Sequence, residues 1–338
     1  QRLIEGLVPP SGRIEEIAAV MLRSGATAVE TARAITDLND RLVKKILGIA
    51  EAHLGTPPEG YCWVAFGSEG RKEQIIKTDQ DNALVYAAPQ PGSAERRATA
   101  YFSEFSRLVE YGLVRCGFPP CPAKYMASNP KWCQSLGTWK RYFGRRIFSP
   151  TPKDVVNSLI FFDLRPLYGD FSLSDSLEES LMTILDGQMV FLGYMAKIIV
   201  RTQPPRDFEG PFILERNGDR RREINLKTRV LLPIVDLVRL FSLEKGIRET
   251  STTGRIDALR RRDRIIGKNA EGLGNAFEFA MSLRVRHQFD KRQASSPPGD
   301  NGSAELFDAG VRRSLKEVFR LLAKLQEVVR ERYSPLIG

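Results

Sequence analysis

Apolar residues recur at three- and four-residue intervals over residues 27–54, where Ile35, Leu38, Leu42, Ile46 and Ile49 form one stripe, and residues 13–22 show the same helical spacing. Gly55-Thr56-Pro57-Pro58 stops the second helix. The period then changes. A short continuous apolar run, Trp63 to Phe66, ends at Gly67-Ser68; after a charged turn, Asp79-Gln80-Asp81 leads into a second run, Ala83 to Tyr86. Runs of this length bounded by turn residues predict two strands, with a glycine turn and a helix start between them. Residues 87–93 read as a Pro/Gly loop and Ser93–Cys116 as a helix with Phe102, Phe105, Leu108, Val109 and Leu113 facing inward, ended by Gly117-Phe118-Pro119-Pro120. Ala123–Ala127 is a candidate third strand, and Trp132–Phe143 an aromatic-rich helix.

From Leu173 onward the pattern is almost wholly helical. Ser176-x-x-Glu179 has the form of a capping box and predicts one helix to about Val200, stopped by Gln203-Pro204-Pro205. A polar loop spans residues 206–224. The next helix, Asn225–Lys245, contains Pro233 and is expected to kink or break there. Further helices are predicted from Thr250–Thr253, over Asn269–Gln288, and over Asp308–Tyr333 on the stripe Val311, Leu315, Val318, Leu322, Leu325 and Val329, with a loop at Lys291–Ser303. The fold expected is an α/β domain, a small mixed sheet with flanking helices, followed by a C-terminal all-α helical bundle. The divisions fall at 1–55 for N-terminal helices, 56–148 for the α/β domain and 149–338 for the bundle.

Composition changes this picture little. The chain has 338 residues, 42% hydrophobic, which suffices for two ordinary cores. Lys and Arg outnumber Asp and Glu by 51 to 41, a formal charge of +10 that favours an anionic partner or simply keeps the protein soluble. Cys62, Cys116, Cys121 and Cys133 lack paired metal-ligand spacing, which argues against a zinc site and for reduced thiols. No apolar run approaches the roughly 20 residues that cross a bilayer and no signal peptide is visible, so a cytoplasmic protein is expected. The sequence begins at Gln1 rather than Met, which suggests a piece of a longer protein.

The chemistry concentrates between residues 63 and 86. Gly67 permits close backbone approach or positive φ, and Ser68 can cap a helix whose free N–H groups would receive phosphate. In extended chain Asp79 and Asp81 share one face. Two adjacent carboxylates repel unless a cation lies between them, and their oxygens suit Mg²⁺ or Mn²⁺. Gly67-Ser68 followed by Asp79-x-Asp81 resembles the signature of the polymerase-beta-type nucleotidyltransferases. The longer string GSEGRKEQ…TDQDNAL is similar to a bacterial nucleotidyltransferase family related to the N-terminal part of PII uridylyltransferase, whose members are often fused to CBS and cyclic-nucleotide-binding domains. INLKTRVLLPIVDLVRLFSLEKGI and LRVRHQ match the same family's substrate-binding region, so the resemblance covers nearly the whole chain.

The resemblance implies attack of an acceptor on the α-phosphorus of a nucleoside triphosphate (NTP), with Asp79 and Asp81 as catalytic metal ligands and a protein as the acceptor. It also implies a third carboxylate. Asp163, in FFDLRP, is one candidate; the competing reading is a structural ion pair between Asp163 and Arg165. Gly67, Ser68, Arg71 and Lys77 are expected to hold phosphate, Arg71 as a bidentate fork. Asn82 reads a ribose hydroxyl or closes a turn; Thr78 tethers the loop; Glu73 and Gln74 belong to the motif without an assigned role beyond helix capping by Glu73. Trp132, Trp139 and Tyr142 stack on a base or, as their spacing favours, pack in a core, and Arg141, Arg145 and Arg146 meet phosphate or form a solvated face. Two other function classes stay open: a non-catalytic nucleotide-sensing module, and, less favoured for want of a reader motif, nucleic-acid binding through Arg260, Arg261, Arg262 and Arg264.

Overall fold

The structure, a computed structural model, describes residues 2–75, 79–151, 155–156, 158–202, 215–217, 221–293, 300–303 and 307–337. The chain divides into two compact units, residues 1–26 with 30–186, and residues 27–29 with 187–338. No single described helix is long and apolar enough to cross a membrane.

The first unit is an α/β domain. Helices α1 (Arg2–Glu5), α2 (Val8–Arg23) and α3 (Ala28–Leu54) precede strand β1 (Tyr61–Ala65), the single turn α4 (Gly67–Gly70) and strand β2 (Asn82–Tyr86). Then come α5 (Ser93–Arg115), β3 (Cys133–Ser135), α6 (Leu136–Phe148), a 3₁₀ turn at Leu159–Asp163, β4 (Arg165–Gly169) and α7 (Phe171–Leu185). The strands form one mixed sheet in the order β3-β2-β1-β4, with β1 antiparallel to β2 and β4, and β2 parallel to β3. Every residue of β1 and β2 is buried, which explains why both read as continuous apolar runs rather than alternating ones. On one face the rings of Tyr61 and Trp63 meet Phe102 and Phe105 of α5. Glu51 of α3 accepts hydrogen bonds from the hydroxyls of Tyr61 and Tyr168 at 2.9 and 2.6 Å. Helix α7 packs against β1, β2, β4 and α6. Each large side chain taken out of water here contributes about 1.5–3 kcal/mol.

Two strands are not where the apolar pattern puts them. Residues 123–127 form turns, and the third strand is Cys133–Ser135, inside the segment expected to be helical from Trp132. Three residues on a parallel edge are too few to show a period. The fourth strand, RPLYG, joins the sheet beside β1, so the first unit runs to Asp186, beyond the division expected at residue 148. Ser176 caps nothing: it lies inside α7, whose N-cap is Asp170, accepting from the Ser172 amide at 3.0 Å.

The second unit is mainly helical: α8 (Met189–Arg201), α9 (Leu232–Glu244), α10 (Thr252–Arg262), α11 (Arg264–Lys268), α12 (Ala270–Gln293) and α13 (Ala309–Ile337). Pro233 breaks the pattern as its chemistry requires, standing in the first turn of α9 after a π turn at Lys227–Leu231. Gln326 of α13 ties down the end of α8, donating to the carbonyls of Ile199 and Thr202 at 2.8 and 2.9 Å. The segments read as loops around 206–224 and 291–303 carry β5 (Glu215–Asn217), β6 (Arg221–Asn225) and β7 (Asn301–Ser303), a small antiparallel sheet added to the bundle.

Candidate functional site

The register of the central hairpin creates the site. Ala65 pairs with Asn82, and beyond that pair the Phe66 amide donates to the Asp81 carbonyl at 2.8 Å, so the Gly67 turn and the Asp79–Asp81 segment emerge together from one end of the sheet. Gly67 has φ +55°, and a side chain added there would begin 3.1 Å from Asp81 Oδ2. Both facts demand glycine: the backbone is left-handed and the space belongs to the carboxylate. Gln80 is buried, its amide donating to Pro119 O at 3.0 Å and its Nε2 to Phe118 O at 2.9 Å, while Asp79 and Asp81 lie half-buried on the opposite side. The alternation expected of extended chain therefore holds for the two acids.

The same hydrogen bonds bring in a residue that spacing did not reveal. The Asn82 amide donates to Tyr125 O at 3.0 Å and the Ala127 amide to Asn82 Oδ1 at 2.9 Å, stitching the 118–127 turn to the start of β2. Asn82 thus anchors that turn through its amide and its Oδ1. Buried Cys121 lies in that turn, its amide 3.3 Å from Met126 Sδ and its carbonyl accepting from Lys124 N at 2.9 Å. One donor atom each from Asp79, Asp81 and Cys121 lie within 4.8 Å of one another. The donor set fits a divalent cation: two carboxylates on one side of the chain, a sulfur closing the group, and a glycine leaving the approach to Asp81 clear. Burial, and then the Asp81 charge, push the Cys121 thiol up to about 11.

Asp163 is elsewhere in the unit's polar network. It is fully buried and its Oδ2 accepts from Arg71 Nη1 at 2.6 Å, while Arg71 Nε donates to Glu73 Oε2 at 2.6 Å. Burial by itself would lower the Arg71 pKa, but Glu73 and Asp163 outweigh it and the guanidinium is held charged. Arg71 is therefore an internal counter-ion, its fork turned to Glu73 and Asp163 where a phosphate oxygen was expected, and Asp163 does not join Asp79 and Asp81 in their group. The expected partner of Asp163, Arg165, instead clasps Asp40 of α3 through both terminal nitrogens at 2.7 and 2.9 Å and donates to Glu69 O at 3.0 Å. Gly70 is required here by contact: a Cβ would sit 1.8 Å from the Asp163 carbonyl oxygen.

Glu69, buried between these two groups, has its carboxyl pushed up to about 8, by burial first, with Arg165 opposing and Asp40 and Asp81 adding to the rise. Ser68 stands half-buried inside α4; the N-cap is Phe66, and no side chain caps this one-turn helix. Lys77 and Thr78 lie outside the described residues. Trp132 and Trp139 are core residues, stacked at 5.7 Å and packed around Phe161. Arg146 borders that cluster, its guanidinium carbon 5.6 Å from the Trp132 ring and 5.8 Å from that of Tyr142. Tyr125 links the regions: burial raises its pKa, Arg146 lowers it, and Cys121 and Asp81 raise it again, so it stands within electrostatic reach of all three.

Residues 12–153 match the family described as "Putative nucleotidyltransferase DUF294", and residues 189–333 match the one described as "Putative nucleotidyltransferase substrate binding domain". No curated protein matches the chain.

Proposed function

We propose, on the support of the two matched nucleotidyltransferase regions, that the first unit moves a nucleoside monophosphate from an NTP to an acceptor. The reading extends to a protein as the acceptor, in a signalling protein with sensor domains upstream, as the similarity to PII uridylyltransferase implies. The observation that carries it is the convergence of the Gly67 turn with Asp79 and Asp81 at one end of the sheet.

In this reading Asp79 and Asp81 hold Mg²⁺ or Mn²⁺. When bound, such a cation neutralises phosphate oxygens and lowers the pKa of an acceptor hydroxyl. The chain's own residues do the rest by position and charge. Gly67 keeps the space beside Asp81 open to the triphosphate. The Ser68 hydroxyl, half-buried in the turn, donates to a phosphate oxygen. Arg71, Glu73 and Asp163 hold the floor of the turn rigid through buried, charge-assisted hydrogen bonds. Since Arg71 is committed to that floor, Arg146, whose charge acts on Tyr125 as that of Asp81 does, is the candidate cation for the anionic substrate.

The test is incubation with each labelled NTP, Mg²⁺ and cell extract. A labelled protein band is expected with the wild type and not with Asp79→Asn/Asp81→Asn. Nucleotide binding without labelling in either protein would replace transfer with nucleotide sensing.

A further inference from the structure

We infer that Cys121 is a ligand atom of the Asp79–Asp81 site and gives it a second, thiophilic mode of metal binding; the inference rests on the metal-holding role proposed for the two acids. The three donor atoms lie within 4.8 Å of one another, close enough for one cation to touch all three. Cys121 is buried, and its turn is fastened to β2 by the Asn82–Tyr125 and Ala127–Asn82 hydrogen bonds and internally by the Lys124 amide on Cys121 O.

Softness decides what the sulfur does. Mg²⁺ and Mn²⁺ prefer oxygen and gain little from sulfur, so the two carboxylates hold them without need of Cys121. Zn²⁺ and Cd²⁺ favour thiolate strongly. When one of them binds, the S–H bond breaks, the proton leaves to solvent and a metal–sulfur bond forms; no electron is transferred. The site therefore has an oxygen-only mode suited to the proposed reaction and a sulfur-closed mode that blocks it, so trace thiophilic metal acts as an inhibitor competitive with Mg²⁺.

The experiment titrates the full chain with Cd²⁺, following ultraviolet thiolate-to-cadmium charge-transfer absorption and binding heat, for wild type, Cys121→Ser and Cys121→Ala. Mn²⁺ is titrated in parallel. The expected result is a saturating band in the wild type, absent from both variants, with Cd²⁺ affinity lowered at least about 10–100-fold, the loss that changes even beyond the ligands produce. Mn²⁺ affinity should move by less than roughly threefold. Equal Cd²⁺ band and affinity in wild type and variants would overturn the inference, as would a parallel loss of Mn²⁺. If the serine variant fails to fold, the alanine variant, which leaves no buried hydroxyl, decides. Mn²⁺ that fails to bind the wild type would instead sink the metal reading of Asp79 and Asp81, so the two failures are distinguishable.

Discussion

Two groups of carboxylates stand near each other in the first unit and have opposite fates. Asp163 and Glu73 are buried and clasp one guanidinium, that of Arg71. Asp79 and Asp81 remain half-buried beside each other, with a thiol as their close companion. In the first group two carboxylates share one cation inside the fold, where loss of Arg71 would strand both. In the second, like charges are gathered at an accessible edge, an arrangement that a cation between them would relieve. The difference teaches that an acid within a motif is assigned to chemistry or to architecture by what surrounds it, not by its place in the string.

The sharpest way to break this comparison is to neutralise the accessible pair. Asp79→Asn with Asp81→Asn should lower nucleotide transfer by about a thousandfold or more, several kcal/mol of transition-state stabilisation, while urea unfolding changes by less than about 1 kcal/mol. A comparable loss of stability would erase the distinction between the groups. Next in size, Asp163→Ala removes one of the two buried carboxylates on Arg71 and leaves Glu73 as its counter-ion, and should cost about 1.5–3 kcal/mol in urea unfolding, the worth of a hydrogen bond to a charged group. Loss of activity with an unchanged unfolding curve would return Asp163 to the catalytic role. Smaller again, Gly67→Ala forces an alanine to φ +55° with its Cβ against Asp81, a cost of about 1–2 kcal/mol, and should weaken Mn²⁺ binding as well.

The smallest effect sharpens the boundary between the two groups, at Glu69. Its carboxyl is held at about 8 against an ordinary 4.5, so between those values the native state binds more protons than the unfolded one. Stability from this group is complete below pH 4.5 and declines as pH rises toward and through 8. Glu69→Gln should remove that decline from a series of unfolding curves; an unaltered profile would show that Glu69 titrates normally.

Much of the scaffold was legible because it is periodic. Ile35, Leu42 and Ile46 mark α3, and the runs at 63–66 and 83–86 mark a hairpin buried on both faces. The site was legible where chemistry is local: Gly67 needs its φ, and Asp79 and Asp81 share a side because Gln80 turns inward. What stayed hidden is long-range. Arg71 and Asp163 are 92 residues apart, and no pattern in either segment announces their meeting. Arg165 was paired with the wrong acid for the same reason, since Asp40 lies 125 residues away on α3. Cys121 sits among prolines in a turn without a period, and is brought to the acids by hydrogen bonds between residues 118–127 and residues 80–82. Ser68 was misread as a cap because α4 is a single turn that begins one residue earlier.

The central claim is that Asp79 and Asp81 form a cation site while Asp163 belongs to the fold. Calorimetric titration of Mn²⁺ into wild type, Asp79→Asn/Asp81→Asn and Asp163→Asn, at a temperature where all three are folded, tests it most directly. Saturable binding is expected to the wild type and to Asp163→Asn, and none to the double variant. Binding that survives in the double variant, or that disappears with Asp163, would contradict that claim.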